Sequence, residues 1–281
     1  MPPTLVQHRA KLAVLVVAGA LLGLAGLRAL DAWADRSEWR RLGALRPAMP
    51  VRYSPAMVAG LPGAAQRYFH FMIKPGAPLH TVVEIHMGGR FSLGTLEKPA
   101  YRAMEARQIL AAPAGFLWRM RTRQGIPIAG SDGISWTRFR IFGLLPVARS
   151  GGDTDHARSA FGRQVAEAAF WSPAALLPRD GVTWEGLDAD RARVIVQQGG
   201  LEQAVDITID ADGRPAEVRF MRWTNANPGK VYRLQPFGGY LSDFRDVDGY
   251  RLPFRVEAGN MFGTEAYFPF FIAEVSAIRF R

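Results

Sequence analysis

The sequence contains no cysteine among its 281 residues. This absence excludes disulfide bonds, thiolate catalysis and zinc sites built from cysteine. It does not indicate a compartment, because a cysteine-free chain can fold on either side of a membrane.

Motifs that mark common enzyme classes are also missing. There is no G-x-S-x-G nucleophile elbow, no phosphate-binding loop and no dinucleotide-binding fingerprint. Internal repeats and low-complexity tracts are absent as well. We therefore predict no cofactor, and the sequence favours a non-enzymatic protein.

Negative charge is scarce in the first half of the chain. Residues 1–150 carry 20 Lys and Arg against 7 Asp and Glu, whereas residues 151–281 carry 15 against 18. A basic half favours an anionic partner, such as lipid head groups, nucleic acid or an acidic protein. Nucleic acid is disfavoured because no nucleic-acid-binding motif accompanies the charge.

One long apolar run is present near the N-terminus, at residues 12–27. A membrane-spanning helix needs about 20 apolar residues, so the run and its flank predict a transmembrane anchor at residues 12–30. The alternative is a cleaved signal peptide with a small-x-small site at residues 32–34. We favour the anchor, because the run is long for a signal and Arg28 and Asp31 fall in the cleavage region.

The predicted organisation has four parts: a cytoplasmic N-terminus at 1–11, the anchor at 12–30, a juxtamembrane segment at 31–47 and one β-rich domain at 48–281. Arginines flank the anchor on both sides, so the positive-inside rule gives conflicting signals for its orientation. Short N-terminal anchors usually export the domain on their C-terminal side. We therefore predict a single-pass protein of the inner membrane with an extracytoplasmic domain.

Alternation of apolar and polar residues dominates the chain after residue 80 and predicts about ten strands. The connections between them are too short for parallel crossovers, so the sheet should be antiparallel. A hairpin turn is predicted at residues 130–133. With 48% apolar and 11% aromatic residues, the chain can build a core. The predicted fold class is α+β, a largely antiparallel curved sheet or incomplete barrel with a helical lid.

The lid is the stretch at residues 152–178. Asp153 can cap the first turn of a helix, and apolar residues recur at three- and four-residue spacing until Pro173 stops it. A single helix between two runs of strands is most simply a lid on the sheet.

Two faces of the predicted sheet suggest binding. The concave apolar face, together with Trp171 and Leu177 of the lid, is predicted to bind a ligand; the residues of the face are Phe116, Trp118, Met120, Trp136 and Phe220. The opposite face carries arginines whose guanidinium groups suit phosphates and carboxylates. An ordinary solvated face is the alternative explanation for these arginines. The predicted anion contacts are Arg119, Arg121, Arg123, Arg138 and Arg140.

Two polar groupings contain residue types that can carry chemistry. Glu167 on the central helix could act as an acid or base if buried, although a structural ion pair is the commoner role. His80, Glu84 and His86 share one face of a strand, but same-face neighbours lie nearly 7 Å apart. We therefore predict no metal site and no catalytic residue.

Several motifs together resemble a bacterial family of membrane-anchored proteins of unknown function. They are E-A-A-F-W-S-P-A-A-L-L at residues 167–177, V-T-W-E at 182–185, G-S-D-G at 130–133, L-L-P-V at 144–147 and G-Y-R-L-P at 249–253. The resemblance spans about residues 60–281. It implies no established activity and therefore no site residues.

More distantly, the order of features is similar to that of Lol-type lipoprotein carriers. That resemblance implies an incomplete antiparallel barrel closed by helices over an apolar cavity. The expected function is non-enzymatic binding of a lipid or another apolar ligand at the cell envelope, with membrane lipids as partners. The alternatives are a scaffold with an envelope protein partner and an enzyme that uses Glu167.

Overall fold

The computed structural model describes residues 5–281. Residues 1–4, which begin the predicted cytoplasmic segment, lie outside the described residues. The three α-helices are α1 (Leu5–Gly43), α2 (Gly63–Met72) and α3 (Thr154–Trp171). The strands are β1 (Val83–Ser92), β2 (Tyr101–Ala111), β3 (Gly115–Thr122), β4 (Ile128–Gly133), β5 (Thr137–Ile141), β6 (Leu145–Ser150), β7 (Val182–Gly186), β8 (Arg191–Gln198), β9 (Leu201–Ile209), β10 (Pro215–Thr224), β11 (Arg233–Val247), β12 (Tyr250–Asn260) and β13 (Phe268–Phe280).

All of these strands form one antiparallel sheet with the order β6-β5-β4-β3-β2-β1-β13-β12-β11-β10-β9-β8-β7. Two meanders, β1–β6 and β7–β13, meet where β1 pairs with β13. Helix α3 connects the two edge strands, β6 and β7, and packs on β9, β10 and β12. Because twisted sheets of this width curl, the sheet forms a half-barrel with α3 against its inner face. The predicted fold class is confirmed.

Helix α3 begins and ends as its sequence predicts. The side chain of Asp153 accepts a hydrogen bond from the backbone N–H of His156 at 2.7 Å, and a 3₁₀ turn at Pro173–Leu176 follows the helix. Phe161, Val165 and Trp171 are buried, and each contributes about 1.5–3 kcal/mol through burial.

The predicted hairpin turn at residues 130–133 is wrong. These residues belong to β4, and the turn lies three residues later, between β4 and β5. Ser131 and Asp132 resemble turn residues, but their side chains bind partners on either side of the sheet: Asp35 on α1 and Arg163 on α3. Strand β6, which was not predicted, pairs with β5.

Helix α1 is continuous through the predicted anchor and most of the predicted juxtamembrane segment. It is long and apolar enough to cross a membrane, and its apolar stretch is not buried by the rest of the chain. Its C-terminal part packs on the outer face of the sheet, where Leu42 joins Ile109 and Leu117 in a small second core.

Ion pairs fix α1 to the sheet. Asp31, which is 6% exposed, contacts the guanidinium groups of Arg138 at 3.1 Å, Arg149 at 2.8 Å and Arg140. Farther along the helix, Trp39 donates a hydrogen bond to Glu84 on β1 at 2.9 Å. The orientation of α1 on the domain is therefore set by buried polar contacts as well as by packing.

Candidate functional site

An apolar cavity of about 610 Å³ lies between α3 and the inner face of the sheet. This volume is within the usual range of small-molecule sites. Its walls come from α3 and from strands of both meanders. Aromatic lining residues include Phe91, Trp118, Phe139, Phe170, Trp171, Phe220, Phe237, Phe270 and Phe271.

Small residues form part of the cavity wall. Ala166 of α3, Gly238 and Gly239 of β11 and Ala258 of β12 contribute to its wall. Gly239 and Ala258 are direct neighbours in the sheet register.

The aromatic walls are packed against one another at the usual distances for ring pairs. The ring centroids of Trp118 and Phe271 are 6.1 Å apart, and those of Phe220 and Phe237 are 5.4 Å apart. Trp171 is fixed by a hydrogen bond from its indole N–H to the carbonyl oxygen of Pro253 at 3.2 Å. The walls are thus held in place by the protein itself.

A polar cluster interrupts the apolar lining on one side. Arg163 of α3 pairs with Asp132 of β4 at 2.6 Å and with Glu167 of α3 at 2.7 Å. Gln108 of β2 hydrogen-bonds to both Glu167 and Arg163. The guanidinium also lies 4.6 Å from the ring centroid of Phe116. These contacts fasten α3 to the first meander.

Arg222 of β10 is the second arginine of the cavity lining. Its Nε is buried and has no hydrogen-bond partner within the described part of the chain. The guanidinium lies 4.9 Å from the ring centroid of Phe237. Burial, together with the positive charge of Arg163, lowers the pKa of Arg222 to about 10, so the side chain is still charged at neutral pH.

The structure brings four of the seven predicted ligand-binding residues to the cavity: Trp118, Met120, Trp171 and Phe220. Phe116 and Leu177 are buried in the same core beyond the lining. Trp136 lies on the outer face with Trp39 and Leu42. It occupies the turn between β4 and β5, where strict alternation does not hold, and its predicted place on the concave face is corrected.

The five predicted anion-contact arginines lie on the outer face, beside α1. Arg138 and Arg140 pair with Asp31, and Arg119 lies 3.6 Å from Asp35. The guanidinium groups of Arg121 and Arg123 share Glu105. Arg121 and Arg123 are the more exposed members of the set, so contact with an external anion is a prediction that concerns chiefly these two.

Glu167 is held by Arg163 and Gln108 and has no histidine beside it in the cavity lining. This arrangement argues against the alternative in which Glu167 acts as an acid or base with a histidine.

Glu84 binds Trp39 and Arg281, and His86 binds Arg107. Within residues 5–281, no group of three His, Asp or Glu side chains is arranged to hold a metal ion.

Sequence reasoning missed Arg222, Phe237 and Phe271 as cavity residues. Alternation along β10 places Arg222 on the same face as Val218 and Phe220, so the signal was present in the sequence. A charged residue is normally assigned to solvent, and only the fold shows that this one faces the cavity.

Exposed apolar residues form a rim at one end of the first meander. Its members belong to, or adjoin, the β1–β2, β3–β4 and β5–β6 hairpins, which share one end of the meander. The cavity reaches this end, because Leu93 and Val147 belong both to the rim and to the cavity lining. The rim residues, 45–64% exposed, are Leu93, Leu96, Ile126, Phe142, Leu145 and Val147.

The apolar part of α1 emerges at the same end. The guanidinium of Arg28 lies against Gly143 in the β5–β6 hairpin, and Arg41 reaches the β2–β3 hairpin at the opposite end. Residues 5–27 therefore extend beyond the rim, and at about 1.5 Å per residue they are about 35 Å long.

A protein-family model described as "Family of unknown function (DUF6544)" matches residues 51–272. The match covers most of the β-rich domain and includes α3. It confirms the sequence resemblance to a family of unknown function. No curated protein matches this sequence.

Three bacterial proteins of known structure are among those that this chain resembles in layout. A domain named for outer membrane lipoprotein sorting, from Vibrio parahaemolyticus, is 11% identical with a TM-score of 0.37, over 71% of this chain and 85% of that chain. A LolA superfamily protein from Nitrosomonas europaea is 9% identical with a TM-score of 0.38, over 78% and 92%. A DUF1329 family protein from Desulfovibrio piger is 11% identical with a TM-score of 0.40, over 77% and 90%.

At such identities and TM-scores these similarities do not indicate what this chain binds. Its function has to be argued from its own cavity, rim and helix α1.

Proposed function

The chain belongs to the DUF6544 family, whose function is unknown, and we propose that it is a membrane-tethered protein that holds the acyl chain of a lipid in the cavity beneath α3. The observation that carries the proposal is the cavity itself, which is walled by aromatic and aliphatic side chains and reaches the end of the domain from which α1 emerges. Burial of each methylene group there stabilises binding by about 0.8 kcal/mol.

Tryptophan fluorescence tests this function, because Trp118 and Trp171 line the cavity. We expect methyl 9,10-dibromostearate to quench the emission of the full chain in detergent with saturation, since bromine quenches a tryptophan that it contacts. Trp118→Phe should remove part of the saturable quenching. The matched control Trp184→Phe, in a residue that packs on Tyr68 and Phe69 away from the cavity, should leave it unchanged. Quenching that is unaffected by Trp118→Phe would refute the proposal.

The exposed rim indicates what this end of the domain contacts. Exposed apolar side chains clustered at one end mark a membrane or protein contact. Here the membrane is favoured, because the apolar stretch of α1 projects from the same end and would fix that end close to the bilayer. A ligand could then pass between the bilayer and the cavity without crossing water. An inner-membrane location with an extracytoplasmic domain is part of this proposal.

Because the chain contains no cysteine, single cysteines can be introduced to measure how the domain is oriented relative to the bilayer. Single cysteines placed at Leu96 or Phe142 in the rim, and at Val51 on the opposite end, can each carry an environment-sensitive fluorophore in the full chain reconstituted into liposomes. We expect blue-shifted emission and quenching by spin-labelled lipid for the two rim sites. Val51 is 65% exposed and serves as the matched control, with solvent-like emission. Solvent-like emission at all three sites would contradict the proposed orientation.

The alternative function is a scaffold that binds an acidic envelope protein through the outer-face arginines. Few of these arginines are available for such a partner. Of the five outer-face arginines, three already contact Asp31 or Asp35 of α1. Arg121 and Arg123 are therefore the positions whose reversal to glutamate would test a partner without detaching α1.

A further inference from the structure

We propose that Arg222 binds the oxyanion end of the ligand, so that the protein selects acidic amphiphiles, with a carboxylate or phosphate group, over neutral ones. This inference rests on the proposed function, because it assigns the polar end of the same ligand.

Every other charged group of the cavity lining already has a partner. Arg163 contacts both Asp132 and Glu167, while Asp132 also accepts a hydrogen bond from Thr137 and Glu167 accepts one from Gln108. Arg222 has no ion pair within 4 Å among the described residues, and its buried Nε donates to nothing. A buried donor without an acceptor has lost its hydrogen bonds to water and gained none in return, which disfavours the empty cavity.

The charges nearby explain how Arg222 stays ionised without a direct partner. Asp132, Arg163 and Glu167 together carry one net negative charge, which balances Arg222 at longer range. This balance supplies no hydrogen-bond acceptor at the guanidinium. A ligand oxygen can supply it, and carboxylate and phosphate oxygens match the fork of an arginine in a bidentate arrangement.

The position of Arg222 suits one end of an extended amphiphile. Its guanidinium lies 4.9 Å from the ring centroid of Phe237, whose ring packs on Phe220, and Trp118 and Phe271 line the same cavity. An acyl chain can therefore occupy the aromatic part of the cavity while its acidic end reaches Arg222.

The test compares 9,10-dibromostearic acid with its methyl ester, which has the same chain and no charge, in the full-length protein. Tryptophan quenching gives both affinities. We expect the acid to bind at least tenfold more tightly than the ester. Arg222→Met should remove that preference and leave the affinity for the ester within about twofold. A dibromo-acyl phosphatidic acid added as a third probe shows whether a phosphate is preferred to a carboxylate.

Two further variants separate recognition from structure. Arg222→Lys keeps the charge without the fork and should retain part of the preference. Arg219→Met, on the exposed face of the same strand, should retain all of it. If the wild-type protein binds acid and ester equally, or if Arg222→Met weakens both alike, the inference is wrong while the proposed function stands. If the wild-type protein binds neither probe, the proposed function itself fails.

Discussion

Ala258→Trp is expected to abolish most binding of acyl chains. Ala258 lines the cavity opposite α3 and is partly exposed within it, so an indole at this position would occupy space that the ligand needs. Excluding about three methylene groups, at about 0.8 kcal/mol each, weakens binding by more than tenfold. Quenching by methyl 9,10-dibromostearate measures the change.

The matched control for this variant is Ala211→Trp, which places the same side chain on an exposed turn. It should bind the ester like the wild-type protein. Thermal unfolding shows whether Ala258→Trp is folded, and because the indole fills a cavity, the melting temperature should not fall. An affinity that is unchanged in a folded Ala258→Trp protein would place the ligand elsewhere.

Asp31→Asn is expected to lower the free energy of unfolding by about 3 kcal/mol, because breaking a buried ion pair leaves uncompensated charge behind. Asp31 is the shared partner of Arg138, Arg140 and Arg149, and asparagine would leave Arg140 and Arg149 without a direct counter-charge and Arg138 with Asp35 alone. For a chain of this size the melting temperature should fall by about 6–12 °C. Thermal unfolding of the full chain in detergent measures it.

Asp243→Asn is the control for this change. The Asp243–Arg245 pair is about half exposed, and solvent screens surface pairs of this kind, so the melting temperature should stay close to that of the wild-type protein. Equal effects of the two substitutions would mean that α1 is not held on the sheet by Asp31.

Local signals in the sequence were sufficient for the sheet and the lid. Asp153, the apolar spacing of α3 and Pro173 act within a few residues of one another, so the helix could be predicted with its cap and its end. Alternation with short connections was likewise enough to predict an antiparallel sheet.

Long-range pairing could not be read from the sequence. Residues 31–43 look like a charged linker after an anchor, and only the fold shows that Asp31 meets Arg140 across more than a hundred residues. Ser131 and Asp132 illustrate the same difficulty, because residues typical of a turn were placed inside a strand by their distant partners. The sequence does not indicate that Arg222 faces the cavity, because a charged residue in a strand normally faces solvent.

The central claim is that an acyl chain lies between α3 and the inner face of the sheet. Photo-crosslinking of the full chain in liposomes with a diazirine-bearing palmitate, together with peptide mapping, tests it most directly. We expect adducts on residues 116–122 of β3 and 218–222 of β10, and their loss in Ala258→Trp but not in Ala211→Trp. Adducts confined to residues 12–27 of α1 and to the outer face of the sheet would contradict it.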